Sequence, residues 1–141
     1  MKKFEYLEDE AIADLAVRSY GTSLEEAFEN MALAMFNAMT PLEKIKPRVE
    51  REFEVSGRDL GELLYNFLEE FLFMKDVENL LFSKIEVKFN EDRTKLRARC
   101  RGEPFDLERH EARTEIKAIT YHLMEIKKEG NLWSLRVVFD I

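Results

Sequence analysis

Apolar positions along this chain change period several times, and each change marks a new element. Residues Phe4 to Glu8 read as a short strand. From Ala11 to Tyr20, Ala11, Ala13, Leu15 and Val17 alternate with Ile12, Asp14, Ala16 and Arg18, the two-residue period of a strand, and Gly21 ends it. Ser23 followed by Glu26 has the spacing that caps a helix start. Leu24, Phe28, Met31, Met35 and Met39 then recur at helical intervals until Pro41 closes the segment.

A strand is expected from Ile45 to Val55, with Ser56-Gly57 as the turn. Asp59 and Glu62 repeat the capping pattern before a helix carrying Leu60, Leu63, Leu64, Phe67, Leu68, Phe71 and Leu72. That apolar face is wide, which predicts a helix lying between the sheet and the first helix. Beyond Asn79 the period returns to two. Lys84 to Asn90 and Thr94 to Arg101 flank a turn at Glu91-Asp92-Arg93 and read as a hairpin. Pro104 to Ala112 is a polar loop, Thr114 to Lys127 a long strand, and Glu129-Gly130-Asn131 a turn into a last strand, Leu132 to Ile141. The predicted order is β-β-α-β-α-β-β-β-β, an α+β fold with two helices packed on one side of mostly antiparallel sheet. No repeat, linker or low-complexity run divides residues 1–141, so one domain is expected.

Composition narrows the function. The chain has 141 residues, 45% of them apolar, enough for a true core. A net charge of −7 opposes sequence-independent binding of bare nucleic acid. The single cysteine, Cys100, forms no internal disulfide, and the opening Met-Lys-Lys-Phe-Glu-Tyr has no apolar leader. A cytoplasmic protein without a membrane span is expected. Glycine-rich phosphate loops, Cys-x-x-Cys pairs, His-Glu-x-x-His and a nucleophile-elbow serine are all missing, so no complete catalytic site is legible.

Several side chains carry candidate chemistry. Asp14 and Asp140 each lie on the polar side of a strand that otherwise reads as core. If the strands pair, the like charges repel unless a cation lies between them; otherwise both are solvated strand-end acids. Glu8, Asp9, Glu10 and the carboxylate of Ile141 are further oxygen donors for a hard divalent ion. His110 falls in the polar loop and His122 on the long strand; each is a proton-transfer or ligand candidate, or a hydrogen-bonded structural residue. Arg97, Arg99 and Arg101 line one strand face, with Lys84 and Lys88 on the paired strand: a strip for phosphate or an acidic partner, or an ordinary solvated face. Cys100 reads as a buried structural thiol. The Met31, Met35, Met39 series reads as core, or as a pliable binding stripe.

Three segments together resemble the archease family. Ala13-Asp14-Leu15 through Ser19-Tyr20-Gly21-Thr22-Ser23-Leu24-Glu25-Glu26-Ala27-Phe28 is similar to the family's opening Ala-Asp strand, aromatic-Gly turn and Leu-Glu-Glu-Ala-Phe helix. Thr114-Glu115-Ile116-Lys117-Ala118-Ile119-Thr120-Tyr121-His122 resembles its most recognisable motif, with His110 at the upstream histidine. Val138-Phe139-Asp140-Ile141 resembles its C-terminus.

The resemblance implies an accessory protein, not an enzyme, that activates an RtcB-type tRNA-splicing ligase by promoting guanylylation and repeated turnover. RNA and GTP would then be met only through the ligase. It also implies a divalent metal held by Asp14 and Asp140. With the Ile141 carboxylate as a further oxygen donor, an all-oxygen site favours Ca, Mg or Mn. His110, Lys117 and the Arg97, Arg99, Arg101 row are candidates for orienting the partner. The family commonly has His and Thr where this chain has Ala11 and Ile12, so either Asp9 or Glu10 replaces the missing ligand or the site is weaker and forms only with the ligase's help. The competing readings are a small metal-dependent phosphoester hydrolase using Asp14, Asp140 and His110, and a chaperone-like module using the methionine-bearing helix.

Overall fold

A computed structural model of the chain describes residues 2–7 and 14–141. Its strands are β1 (Phe4–Leu7), β2 (Asp14–Gly21), β3 (Val49–Ser56), β4 (Leu80–Phe89), β5 (Lys95–Pro104), β6 (Ala118–Ile119), β7 (Glu125–Glu129) and β8 (Leu132–Asp140). The helices are α1 (Leu24–Met39) and α2 (Leu60–Glu78), with one 3-10 turn at Leu42–Lys44. The fold is α+β, with every strand pairing antiparallel. The strands form two sheets. The first runs β1-β2-β8-β6, with β7 also on β8; the second runs β3-β5-β4.

Both helices start where the capping spacing places them. Ser23 Oγ accepts from the Glu26 N–H at 3.1 Å, and Asp59 Oδ1 accepts from the Glu62 N–H at 2.8 Å. Gly21 makes the first entry feasible, because a Cβ there would lie 2.4 Å from the backbone nitrogen of Ala27. The expectation that α2 is the enclosed helix is reversed. Twelve of the sixteen α1 residues are buried, against seven of nineteen in α2. Helix α1 contacts β2 and β8 of the first sheet and β4 of the second, so it has almost no solvent side. Between the layers Phe28, Phe36, Phe67, Phe71 and Phe82 are fully buried. They meet edge-to-face or tilted, the arrangements that ring quadrupoles favour. Met31, Met35 and Met39 belong to this core, which removes them as a surface stripe.

Three boundaries differ from the sequence reading. The strand expected from Ile45 begins at Val49, because Leu42–Lys44 coils into the 3-10 turn and Pro47 has no N–H for a ladder. Strand β4 starts at Leu80 rather than Lys84: Asn79, in the left-handed region at φ 58°, ends α2 and turns the chain straight into the sheet. The long strand from Thr114 to Lys127 is not continuous. Residues 111–117 are irregular, β6 is two residues long, and a turn separates it from β7. Thr120 Oγ1 donates to the Val138 carbonyl at 2.7 Å and Leu123 adopts φ 53°, so the chain leaves the β8 edge and returns to it.

The last strand also departs from a simple two-faced pattern. Ser134, Leu135, Arg136, Val137, Val138 and Phe139 are all buried, so β8 is covered on both faces. No helix among the described residues is long and apolar enough to cross a membrane.

Candidate metal centre and its surroundings

The β2–β8 ladder runs from Gly21 opposite Trp133 to Asp14 opposite Asp140. Directly opposed residues of an antiparallel pair project from the same face, with Cβ atoms roughly 5 Å apart. Asp14 is half-buried and Asp140 exposed. Neither carboxylate has a hydrogen-bond or ion-pair partner among the described residues. On the other edge of β8, Ala118 is the register partner of Asp140, and the Lys117 N–H donates to the Asp140 carbonyl at 2.7 Å. Lys117 is exposed and Ile141 half-buried beside this pair. Among the described residues no third His, Cys, Asp or Glu joins them to complete a three-donor cluster. The candidates Asp9 and Glu10, and the departures at Ala11 and Ile12, lie outside the described residues.

The same face carries a second matched rung. Arg18 stands opposite Arg136, and Arg136 opposite Glu125 on β7. Arg18 Nη2 donates to Glu125 Oε1 at 3.1 Å, which holds the Glu125 carboxyl below its ordinary pKa. Arg136 Nη1 reaches the Leu123 carbonyl at 3.4 Å. One rung of acids and one of guanidiniums therefore share a sheet face, separated by Ala16 and Val138.

His110 does not lie on the surface. The residue is 3% exposed, and its ring stacks on Phe105. Nδ1 accepts from the Asp106 N–H at 2.8 Å and Nε2 lies 2.9 Å from Glu103 Oε2, so the proton sits on Nε2. The hub is Glu103, a residue the sequence reading passed over. It is 1% exposed and bonded to Arg109, with the Lys46 N–H at 2.8 Å and Arg48 Nη1 at 3.6 Å. Burial pushes its pKa up, but the Lys46 N–H, His110 and Arg109 outweigh that effect and hold it at about 2. His110 thus fastens its loop to the second sheet. His122 is exposed in the turn after β6, not in a strand.

The arginine row lies on the second sheet, away from the strands that bear Asp14 and Asp140. Across β5, Arg97, Arg99 and Arg101 face Glu54, Glu52 and Glu50 on β3, and Lys88, Glu86 and Lys84 on β4. Arg99 Nε is 3.3 Å from Glu50 Oε1, and Arg97 Nη2 3.8 Å from Glu54 Oε2. The row is exposed, with Arg97 and Arg99 ion-paired across the strands. Cys100, between its arginines, points inward; burial pushes its thiol pKa up to about 12, so no thiolate forms near neutrality.

Comparison with known proteins agrees with this fold. Residues 4–141 match the family model described as Archease protein family (MTH1598/TM1083). The protein archease of Sulfurisphaera tokodaii is 45% identical over 141 residues, and that of Pyrococcus abyssi 46% identical over 144, each alignment covering all of both chains. The solution structure of Methanobacterium thermoautotrophicum protein 1598 superposes with a TM-score of 0.81 at 39% identity over the full length of both chains. A Thermotoga maritima crystal structure, described as an archease and possible chaperone, shares the fold at TM-score 0.66 and 22% identity, covering 96% of each chain.

Proposed function

This chain belongs to the archease family, and on that premise we propose that it activates an RtcB-type tRNA-splicing ligase, promoting guanylylation and repeated turnover without joining RNA itself. The observation that carries the reading is the register of Asp14 opposite Asp140. Two opposed carboxylates without a basic partner among the described residues fit a hard divalent cation, for which oxygen donors are preferred. Asp14 and Asp140 would hold calcium, magnesium or manganese, with the Ile141 carboxylate and Asp9 or Glu10 as further donors. Such an ion would supply neutralising charge beside a phosphate group.

The remaining work falls to the chain itself. The ladder behind Asp14 and Asp140 fixes their separation, and Lys117 stands exposed next to them for contact with a partner. A net charge of −7 steers the protein toward a cationic, RNA-binding cleft of the ligase and away from bare RNA. RNA and GTP are reached through the ligase, in the cytoplasm.

The test is RNA ligation by the cognate ligase at large substrate excess, with and without this protein. Conversion from about one turnover to many, lost in Asp140→Ala, is the expected result. Unchanged ligase guanylylation and turnover, or full activation by Asp140→Ala, would overturn the proposal.

A further inference from the structure

Where the turn after β6 meets the start of α2, a cleft of about 490 Å³ opens, lined by Asp59, Leu60, Tyr121, Met124, Ile126 and Trp133. That volume lies within the range of small-molecule sites. Its walls are unusually aromatic for a surface. Tyr121 is 53% exposed although one side of its ring lies flat on Tyr65, centroids 4.5 Å apart and planes within 10°. Arg93 and Lys128 lie over the Trp133 ring at 5.6 and 5.7 Å.

One carboxylate enters this setting. Asp59 is exposed; its Oδ1 caps α2, and Oδ2 has no partner among the described residues. The neighbouring guanidinium, Arg58, is turned onto Glu62 at 2.7 Å.

Open aromatic surface suits a flat ring, a carboxylate with one oxygen unbonded and the other bonded once suits a ring edge that presents donors, and two cations beside them suit an anion. We propose that this cleft binds a guanine mononucleotide, its base stacked against Tyr121, its N1–H and 2-amino group donated to Asp59, and its phosphate held by Arg93 and Lys128. Guanine alone among the common bases offers two adjacent donors to one carboxylate. Adenine and cytosine set an acceptor beside their amino donor, and that acceptor faces the carboxylate unfavourably. A cationic side chain from a partner would stack as well, but Arg93 and Lys128, lying over the Trp133 ring at the edge of the cleft, repel it. A nucleic-acid polymer is disfavoured by the net charge of −7, which leaves the free mononucleotide. The site shares no residue with the Asp14/Asp140 pair, so it stands or falls separately from ligase activation.

Trp133 is the only tryptophan and lines the cleft, so its fluorescence reports occupancy directly. Titration with GMP is expected to give a saturable change, and binding roughly tenfold tighter than AMP. Asp59→Asn retains a capping side chain and is expected to erase that preference. Tyr121→Ala is expected to weaken GMP and AMP alike by roughly fivefold or more. No saturable response to GMP at millimolar concentration, equal binding of GMP and AMP, or a preference that survives Asp59→Asn would each overturn the proposal. Melting temperatures confirm that the variants are folded. If Asp59→Asn fails to fold, the GMP-to-AMP comparison in the unaltered protein decides the matter.

Discussion

Asp14 and Asp140 are direct cross-strand partners at the end of the β2–β8 ladder, two like charges with no ion-pair partner among the described residues. In the absence of a cation this arrangement costs stability. Asp140→Asn is therefore expected to raise the stability of the metal-free protein by about 0.5 kcal/mol, measured by urea unfolding in the presence of a chelator.

Adding calcium, magnesium or manganese should reverse that order. A ligand that binds only the folded state stabilises by about 2.7 kcal/mol when present at a hundredfold its dissociation constant. The unaltered protein should melt higher with the divalent ion, while the double variant Asp14→Asn, Asp140→Asn should not respond. Thermal melts of both proteins across a metal titration check this; equal changes in melting temperature would remove the carboxylates as ligands.

Glu103 makes the fold acid-sensitive in a defined window. Its pKa falls from 4.5 to about 2 on folding, so the folded state favours the ionised form. The resulting stability is fully present above the unfolded value near 4.5 and is lost as pH drops toward about 2. The loss amounts to roughly 3 kcal/mol, because each tenfold weakening of proton binding corresponds to about 1.36 kcal/mol. Urea unfolding at pH 6, 4 and 3 should show the decline, and Glu103→Gln should be less stable at pH 6 while losing less on acidification.

Gly102 lies on β5 where β4 shifts register between Phe82 and Lys84. A Cβ there would fall 1.7 Å from the Leu81 carbonyl oxygen, a clash with backbone rather than with a movable side chain. Gly102→Ala should destabilise the protein by about 3 kcal/mol or prevent its accumulation. Denaturant unfolding measures it; a loss below about 1 kcal/mol would show that the two strands can separate at this point.

The arginine ladder should matter far less. Each of Arg97 and Arg99 is more than half exposed and paired across strands at 3.3–3.8 Å, where ion pairs contribute about 0.2–1 kcal/mol. Arg99→Ala should lower stability by no more than about 1 kcal/mol, and added salt should narrow the difference. A larger, salt-insensitive loss would give Arg99 a packing role.

Much of this fold could be read from local signals, since those signals act locally. Ser23 and Asp59 cap their helices by bonding three residues ahead, and period-two alternation along β5 follows from pleat geometry. What escaped was set by distant partners. The long strand expected through His122 breaks because Thr120 bonds to Val138, eighteen positions away. Both faces of β8 are buried, so its apolar alternation gave no hint that Arg136 was inside. Asp14 and Asp140 were distinguishable as acids on core-like strands, but only the β2–β8 register makes them neighbours. Glu103 carried no signal at all, since nothing nearby in sequence marks a buried glutamate whose partners include Arg48 and Lys46.

The two sheets differ in how far apart along the chain their strands arise. The second is drawn from one central stretch, Val49 to Pro104, within which β4 and β5 are joined by a short turn. The first joins β1 and β2 to strands that begin only at Ala118, and the rung at Asp14 spans 140 − 14 = 126 positions. High contact order makes such pairings slow, because a long loop must close before any contact repays it. During synthesis the second sheet and its helix can settle first, while β2 waits for β8 to emerge. The acidic pair is consequently a marker of finished folding: a chain that displays it has already closed its longest loop.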